Sequence, residues 1–258
     1  MSSNYFQFER ISKNSRANLF CFHCAGGSAF SYIPWRAEID KEINIYPYQM
    51  AGRGSRACEK FPDSLESAAI EAAASISALN KENILFTGHS MGGMLAYYTA
   101  YLLKHDYGIK VNKMFITSSL PSLKEVLRTE FGYSEKMSEQ EFFSMIIRFG
   151  AVDERMLKTP EFKKYFLPSA ISDMRLINRA QTNFAGIINS DISVYYGDKD
   201  TVADETNVRN WKSVTTGSVI VTKCNGGHFF INEYYKEICR DINNYFSNHY
   251  KIVKQKIF

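Results

Sequence analysis

Three stretches that could do proton-transfer chemistry stand far apart in the 258-residue chain: Gly88-His89-Ser90-Met91-Gly92, Gly197-Asp198-Lys199-Asp200 and Asn225-Gly226-Gly227-His228. A serine hydroxyl is a poor nucleophile at neutral pH because it must lose its proton as it attacks. An imidazole within hydrogen-bond reach can take that proton, while a buried carboxylate fixes the imidazole tautomer and stabilises the imidazolium that forms. Serine, then acid, then histidine therefore spells covalent acyl transfer. Asp198 and Asp200 compete for the acid role. Of the five histidines, His228 alone is both flanked by glycine and late in the chain. His89 should turn its side chain away from substrate, His23 borders the loop after the first strand, and His105 and His249 read as surface residues.

These groups work only if the fold aims them. The apolar run Ile84 to Thr87 reads as a strand and Met94 to Leu103 as a buried helix, so Ser90 sits where a strand turns sharply into a helix. Such an elbow forces the serine into a strained conformation that projects its hydroxyl, and Gly88 and Gly92 lack the Cβ atoms that would clash there. The helix that follows points free N–H groups and a positive dipole end at the place where negative charge would develop. An acid in the loop after a late strand can reach the same edge of the sheet, because the strand C-termini line up on one side.

Alternation of strand and helix predicts a mostly parallel sheet with helices on both faces. Strands are expected over about 17–23, 43–48, 84–87, 113–118, 192–196 and 218–222. Asp63-Ser64-Leu65-Glu66 resembles a capping box before a helix running to about Leu79, and Asp204 should cap a later helix. The loop Ala25-Gly26-Gly27-Ser28-Ala29-Phe30 is built of small residues that let backbone amides approach a ligand, with Gly26, Gly27 and Phe30 as candidate substrate contacts. Phosphate is disfavoured there: no Gly-Lys-Ser/Thr follows, and the glycine spacing is wrong for a dinucleotide fingerprint. From about 121 to 188 the strand signals stop. Ser138 with Glu141, Thr159-Pro160 and Leu167-Pro168 open three helices, whose Phe142, Phe143, Met145, Ile146, Phe149, Phe162, Tyr165, Phe166 and Leu167 offer more apolar surface than short helices can hide. A helical lid over the elbow is expected.

Composition narrows the function. A single domain over 1–258 is expected, since the length suits one α/β domain with an insertion and the 45% hydrophobic content suffices for a large core. The formal charge of +4 is mild and its lysines and arginines are scattered, which speaks against nucleic acid. The first residues hold no apolar core of signal-peptide length and no run is long enough to cross a bilayer, so a cytoplasmic protein without a membrane role is expected, and a monomer. Five irregularly spaced cysteines argue against a disulfide framework. Cys21-Phe22-His23-Cys24 matches C-x-x-C, but Cys21 and Cys24 should face apart on a strand, and no second cluster completes a metal site.

With these motifs in view, the chain resembles the type II thioesterases, the stand-alone editing enzymes of nonribosomal peptide and polyketide synthesis, within the α/β hydrolases. The likeness spans nearly the whole chain. It is carried by Ala25-Gly26-Gly27-Ser28-Ala29 with Tyr32 and Trp35, Gly52-Arg53-Gly54 with Arg56, the Ser90 elbow, Leu167-Pro168 followed by Asp173, Gly197 to Asp200, and Gly226-Gly227-His228-Phe229-Phe230. The chain departs from the usual pattern at His23 and Cys24, where the family has a proline before the residue preceding the oxyanion alanine, and at Ala51-Gly52-Arg53, where it has Pro-Gly-Arg. The resemblance implies an α/β-hydrolase fold and a triad of Ser90, Asp200 and His228. It also implies an oxyanion hole from the backbone amides of Ala25 and Met91. The implied reaction is hydrolysis of acyl groups held as thioesters on the phosphopantetheine arm of acyl or peptidyl carrier domains. No metal or cofactor is implied, because the arm enters as part of the substrate. A serine esterase or acyltransferase on free small acyl compounds, and a non-catalytic carrier-binding relative, are the alternatives.

Overall fold

The computed structural model describes residues 4–150, 152, 154–157 and 159–255. The ends of the domain expected over 1–258, residues 1–3 and 256–258, lie outside these. Six strands form one sheet: β1 (Ala17–Phe22), β2 (Ile43–Pro47), β3 (Ile84–His89), β4 (Val111–Thr117), β5 (Asp191–Gly197) and β6 (Val219–Cys224). Their order is β2-β1-β3-β4-β5-β6, and every neighbouring pair is parallel. The chain first steps outward from β1 to β2, then crosses back to lay β3 on the other side of β1. Loops leaving β1 and β3 therefore diverge at the carboxyl edge, the crevice where open α/β sheets place their ligands.

β1 to β4 are buried along nearly their whole length because both faces are covered. Phe20, Phe22 and Phe86 point into one core cluster, while Leu19, Cys21 and Leu85 point into the other. The first face is covered by α2 (Leu65–Ala78) and α3 (Met91–Tyr107), whose close approach is permitted by the buried Ala68, Ala69, Ala72 and Ala73 of α2. The second is covered by the single turn α1 (Trp35–Glu38) and the long C-terminal α8 (Ile231–Gln255), through Trp35, Ile238, Cys239 and Ile242. The edge of β2 is shielded by antiparallel bridges from Phe6 to Tyr48 and from Arg10 to Ile45.

The insertion is helical, as expected, with a different internal division. A short α4 (Lys124–Thr129) and a single turn α6 (Glu154–Leu157) flank α5 (Glu139–Arg148), which Ser138 and Glu141 cap reciprocally. Thr159-Pro160 and Leu167-Pro168 do not open two separate helices. A π-helical stretch, Phe162–Phe166, runs directly into α7 (Leu167–Arg179), and Pro168, which has no N–H to give the turn before it, stands just after this widened stretch. At the start of α2 the reciprocal cap is Ser64 with Ser67, one residue later than the expected box of Asp63 with Glu66. Glu66 instead accepts the Gln181 amide at 2.6 Å, tying the end of α7 to α2.

Candidate active site

Ser90 follows β3 directly and has φ 54° and ψ −121°, the strained conformation of a projecting serine. The strain is held from several sides. Its amide donates to Thr117 O at 3.0 Å, Ser119 Oγ donates to its carbonyl at 2.6 Å, and Trp211 Nε1 donates to Ser119 O at 2.8 Å. Gly88 and Gly92 allow the bend. A Cβ on Gly92 would lie 2.1 Å from Phe22 O, and one on Gly88 would lie 2.3 Å from Gly92 O.

Asp200, in the loop after β5, and His228, between β6 and α8, meet at this elbow. His228 Nε2 is 3.0 Å from Ser90 Oγ, and its Nδ1 is 3.0 and 3.1 Å from the two carboxylate oxygens of Asp200. Because the carboxylate only accepts, the proton belongs on Nδ1 and the lone pair on Nε2 faces the serine. Burial would raise the Asp200 carboxyl, but the hydrogen bond and charge of His228 and the Val202 amide outweigh it and hold it below the ordinary carboxylate range. Asp198 is not part of this group. It is exposed and accepts the Gly226 amide at 2.9 Å, shaping the loop that carries His228. Close packing of the acid and histidine loops needs Gly197, whose Cβ would lie 2.3 Å from Gly226 O. Asp204 accepts the amides of Thr206 and Asn207, as a residue opening a helical turn does.

Met91 opens α3, so its amide is among the unsatisfied donors of a helix N-terminus. In the facing loop, the Gly26 amide is taken by Asp173 Oδ2 at 2.8 Å and the Gly27 amide by Cys24 O at 3.0 Å. Of the amides at 25, 26 and 27, that at Ala25 is the one not so committed among the described residues. Gly26 and Gly27 border a pocket of about 370 Å³ beside the elbow, along with His89, Phe166, Phe229 and Tyr235. Phe30 does not join them there; it is 66% exposed, packs edge-on to Phe8, and lines a neighbouring groove.

The other histidines fall as follows. His89 does not turn away: it lines the pocket, its ring centroid 5.2 Å from that of His228, with Nδ1 against Thr117 O. Burial and then the neighbouring His228 push it down to about 3. His23 is held near 4 by burial and by the Arg53 charge, and burial lifts the Cys24 thiol to about 12. Both histidines are thus neutral. His105 and His249 are exposed. Cys21 is buried in the second core while Cys24 borders the pocket, and among the described residues no group of His, Cys, Asp and Glu is gathered as a metal would need.

Sequence reasoning expected cover from the insertion, and Phe149 and Phe166 supply it. The Phe149 ring lies 5.7 Å from that of His228, and Phe166 lines the pocket against Gly26. Arg53 and Asp173, which join beneath the Gly26 loop, and Ser119 behind the elbow have no role assigned from sequence; the glycines on both sides of Arg53 are the signal that could have found it. No helix among the described residues is long and apolar enough to cross a membrane.

The chain resembles known proteins over most of its length. The sequence profile of the thioesterase domain family matches residues 17–246. The chain is 27% identical to thioesterase PikA5 of Streptomyces venezuelae over 90% of its own length and 82% of that protein. It is 24% identical to the human medium-chain S-acyl fatty acid synthase thioesterase, over 87% of this chain and 85% of the relative. Among solved structures, YbtT, a type II thioesterase from the yersiniabactin NRPS/PKS pathway, superposes with a TM-score of 0.78 at 20% identity, covering 93% of this chain and 96% of YbtT. At that identity the likeness speaks for the α/β-hydrolase fold alone.

Proposed function

The chain belongs to the thioesterase domain family, and from that membership we propose that it is a serine hydrolase that frees acyl groups from the phosphopantetheine arm of carrier domains in nonribosomal peptide or polyketide synthesis. The observation that carries this reading is the bridge made by His228, 3.0 Å from Ser90 Oγ on one side and 3.0 Å from Asp200 on the other. The likeness to thioesterase PikA5 supports a thioester as the bond that is cut.

In this reading Ser90 Oγ attacks the thioester carbonyl as His228 Nε2 takes its proton. Asp200 holds the Nδ1 proton and stabilises the imidazolium. The amides of Ala25 and Met91 face the oxygen that becomes negative, and the C–S bond breaks as the imidazolium returns its proton to the departing thiol. Water, deprotonated by the same nitrogen, then attacks the acyl-serine, and the acid leaves with Ser90 restored. The pantetheine arm belongs to the substrate, so every proton is handled by this chain's own side chains and the work of editing is assigned to a cytoplasmic enzyme without a cofactor.

The test compares acetyl groups on a phosphopantetheinylated carrier domain with the same groups on free N-acetylcysteamine. An editing enzyme spends contacts with the carrier on the transition state, so kcat/KM should be higher on the carrier, and both activities should vanish in Ser90→Ala. Equal rates on the two substrates would point to a small-molecule esterase instead.

A further inference from the structure

Beneath the loop that carries Ala25 lies a buried ion pair with an unusual set of partners. Asp173, on α7, is fully buried. Its Oδ1 accepts from Arg53 Nη2 at 2.6 Å, and its Oδ2 accepts both Arg53 Nη1 at 2.5 Å and the Gly26 amide at 2.8 Å. Arg53 Nη1 also donates to Gly27 O at 3.3 Å. One carboxylate and one guanidinium thus hold an amide and a carbonyl of successive loop residues, directly after Ala25. Arg53 reaches inward because Gly52 and Gly54 on either side take φ +82° and +55°, which only glycine adopts without strain. The loop is also pressed on α7 from the same side: a Cβ on Gly26 would lie 2.7 Å from the Phe166 ring and 3.2 Å from Ala170.

Stability alone is a weak reason for such a pair, since stripping water from two charges offsets most of their attraction and apolar replacements of similar volume often fold as well. A bidentate pair does impose geometry, because the planar guanidinium admits few orientations of its partner. Holding Gly26 and Gly27 also keeps the Gly26 amide away from substrate. We infer that Asp173 and Arg53 are positioning residues for the reaction, clamping Gly26 and Gly27 to α7 so that the neighbouring Ala25 amide is aimed at the oxyanion. The clamp ties one element of the insertion to the loop that supplies the oxyanion hole.

This inference rests on Ser90 being the nucleophile, and the test separates the two. Wild type is first titrated with a fluorophosphonate; failure to label Ser90 would end the thioesterase reading and leave the clamp without a reaction to serve. Rates are then expressed per titrated serine, so that a loss of folded protein does not count. In the double variant Arg53→Met with Asp173→Leu, which removes both charges together, kcat per serine on acetyl-carrier should fall by about 10- to 100-fold with KM changed little. The affinity of butylboronic acid, which mimics the tetrahedral adduct, should fall in step with kcat/KM. Asp173→Asn keeps the shape and an acceptor for the Gly26 amide, so its kcat should lie between the two. Should the double variant not fold, Asp173→Asn decides by the same measures. Wild-type kcat and boronate affinity per titrated serine, in whichever of these variants fold, would overturn the inference.

Discussion

The ring of Phe149 stands edge-on to the imidazole of His228, their centroids 5.7 Å apart, so a residue at the end of α5 rests on the group that bridges Ser90 and Asp200. Phe131 stacks on Phe149, with centroids 3.8 Å apart. The insertion therefore covers the site, and Ser90 is only 8% exposed. Removing this cover should admit small reagents more freely. Phe149→Ala is expected to raise the second-order rate of Ser90 labelling by a small fluorophosphonate several-fold, while the preference for carrier-bound over free thioester shrinks. Unchanged labelling would mean that access is set elsewhere.

The two aspartates of the acid loop should separate cleanly. Asp200→Asn leaves the shape but supplies an N–H where His228 needs an acceptor, favouring the wrong tautomer, and should lower kcat by about 10⁴-fold. Asp198→Asn keeps an acceptor for the Gly226 amide and should stay within a few-fold of wild type. Steady-state kinetics on one thioester decide it; equal losses in the two variants would contradict the assignment.

Glycines of the elbow should be far less replaceable than glycines that merely turn the chain. At Gly92 a methyl group would meet the Phe22 carbonyl oxygen at 2.1 Å, backbone that cannot move without shifting β1. Gly92→Ala should therefore yield little folded protein. Gly108, at the end of α3, has φ +66° but open space around it, so Gly108→Ala should cost only about 1 kcal/mol. Chemical denaturation of both variants provides the comparison.

The buried neutral histidines predict acid sensitivity. His23 and His89 are held to about 4 and about 3, below the value near 6.5 that histidine has in an unfolded chain. Between those values the unfolded state binds protons that the folded state refuses, so stability is full above about pH 6.5 and drains away as the pH falls toward 4. Together the two should remove on the order of 5 kcal/mol by pH 4, a large part of the margin of an ordinary domain. Depression of the Asp200 carboxyl adds a loss of the same sign as the pH falls through the carboxylate range. Urea midpoints measured from pH 8 to pH 4 should show the slope beginning near 6.5, and His23→Asn should flatten it. A midpoint that stays level down to pH 5 would be incompatible with buried neutral imidazoles.

Some of this molecule is legible in short windows of sequence. Alternation along Leu19, Phe20, Cys21 and Phe22 requires a strand covered on both faces, and strand-helix alternation leads to a parallel sheet. Ser138 with Glu141 marks a helix start that the structure keeps. Other windows mislead. Leu167-Pro168 carries the signal of a new helix, but proline in a first turn is equally compatible with a junction, and the π-helical stretch before it continues the chain into α7. Similarly, Asp63-Ser64-Leu65-Glu66 has the look of a capping box, but the cap formed is Ser64 with Ser67, and Glu66 is drawn instead to a helix end 115 residues away.

From the order of residues alone came the elbow, its glycines and the identity of a serine, an acid and a histidine suited to acyl transfer, because those properties lie in bonded neighbours and in the steric limits of a tight turn. Tertiary structure alone set Asp200 rather than Asp198 against His228, turned His89 toward the pocket, set Phe149 on His228 and joined Asp173 to Arg53 and Gly26. Each of those outcomes depends on which strands lie side by side and how closely their loops converge. Hydrogen bonds and ring contacts of a few ångströms are decided by that convergence, and distance along the chain carries no record of it.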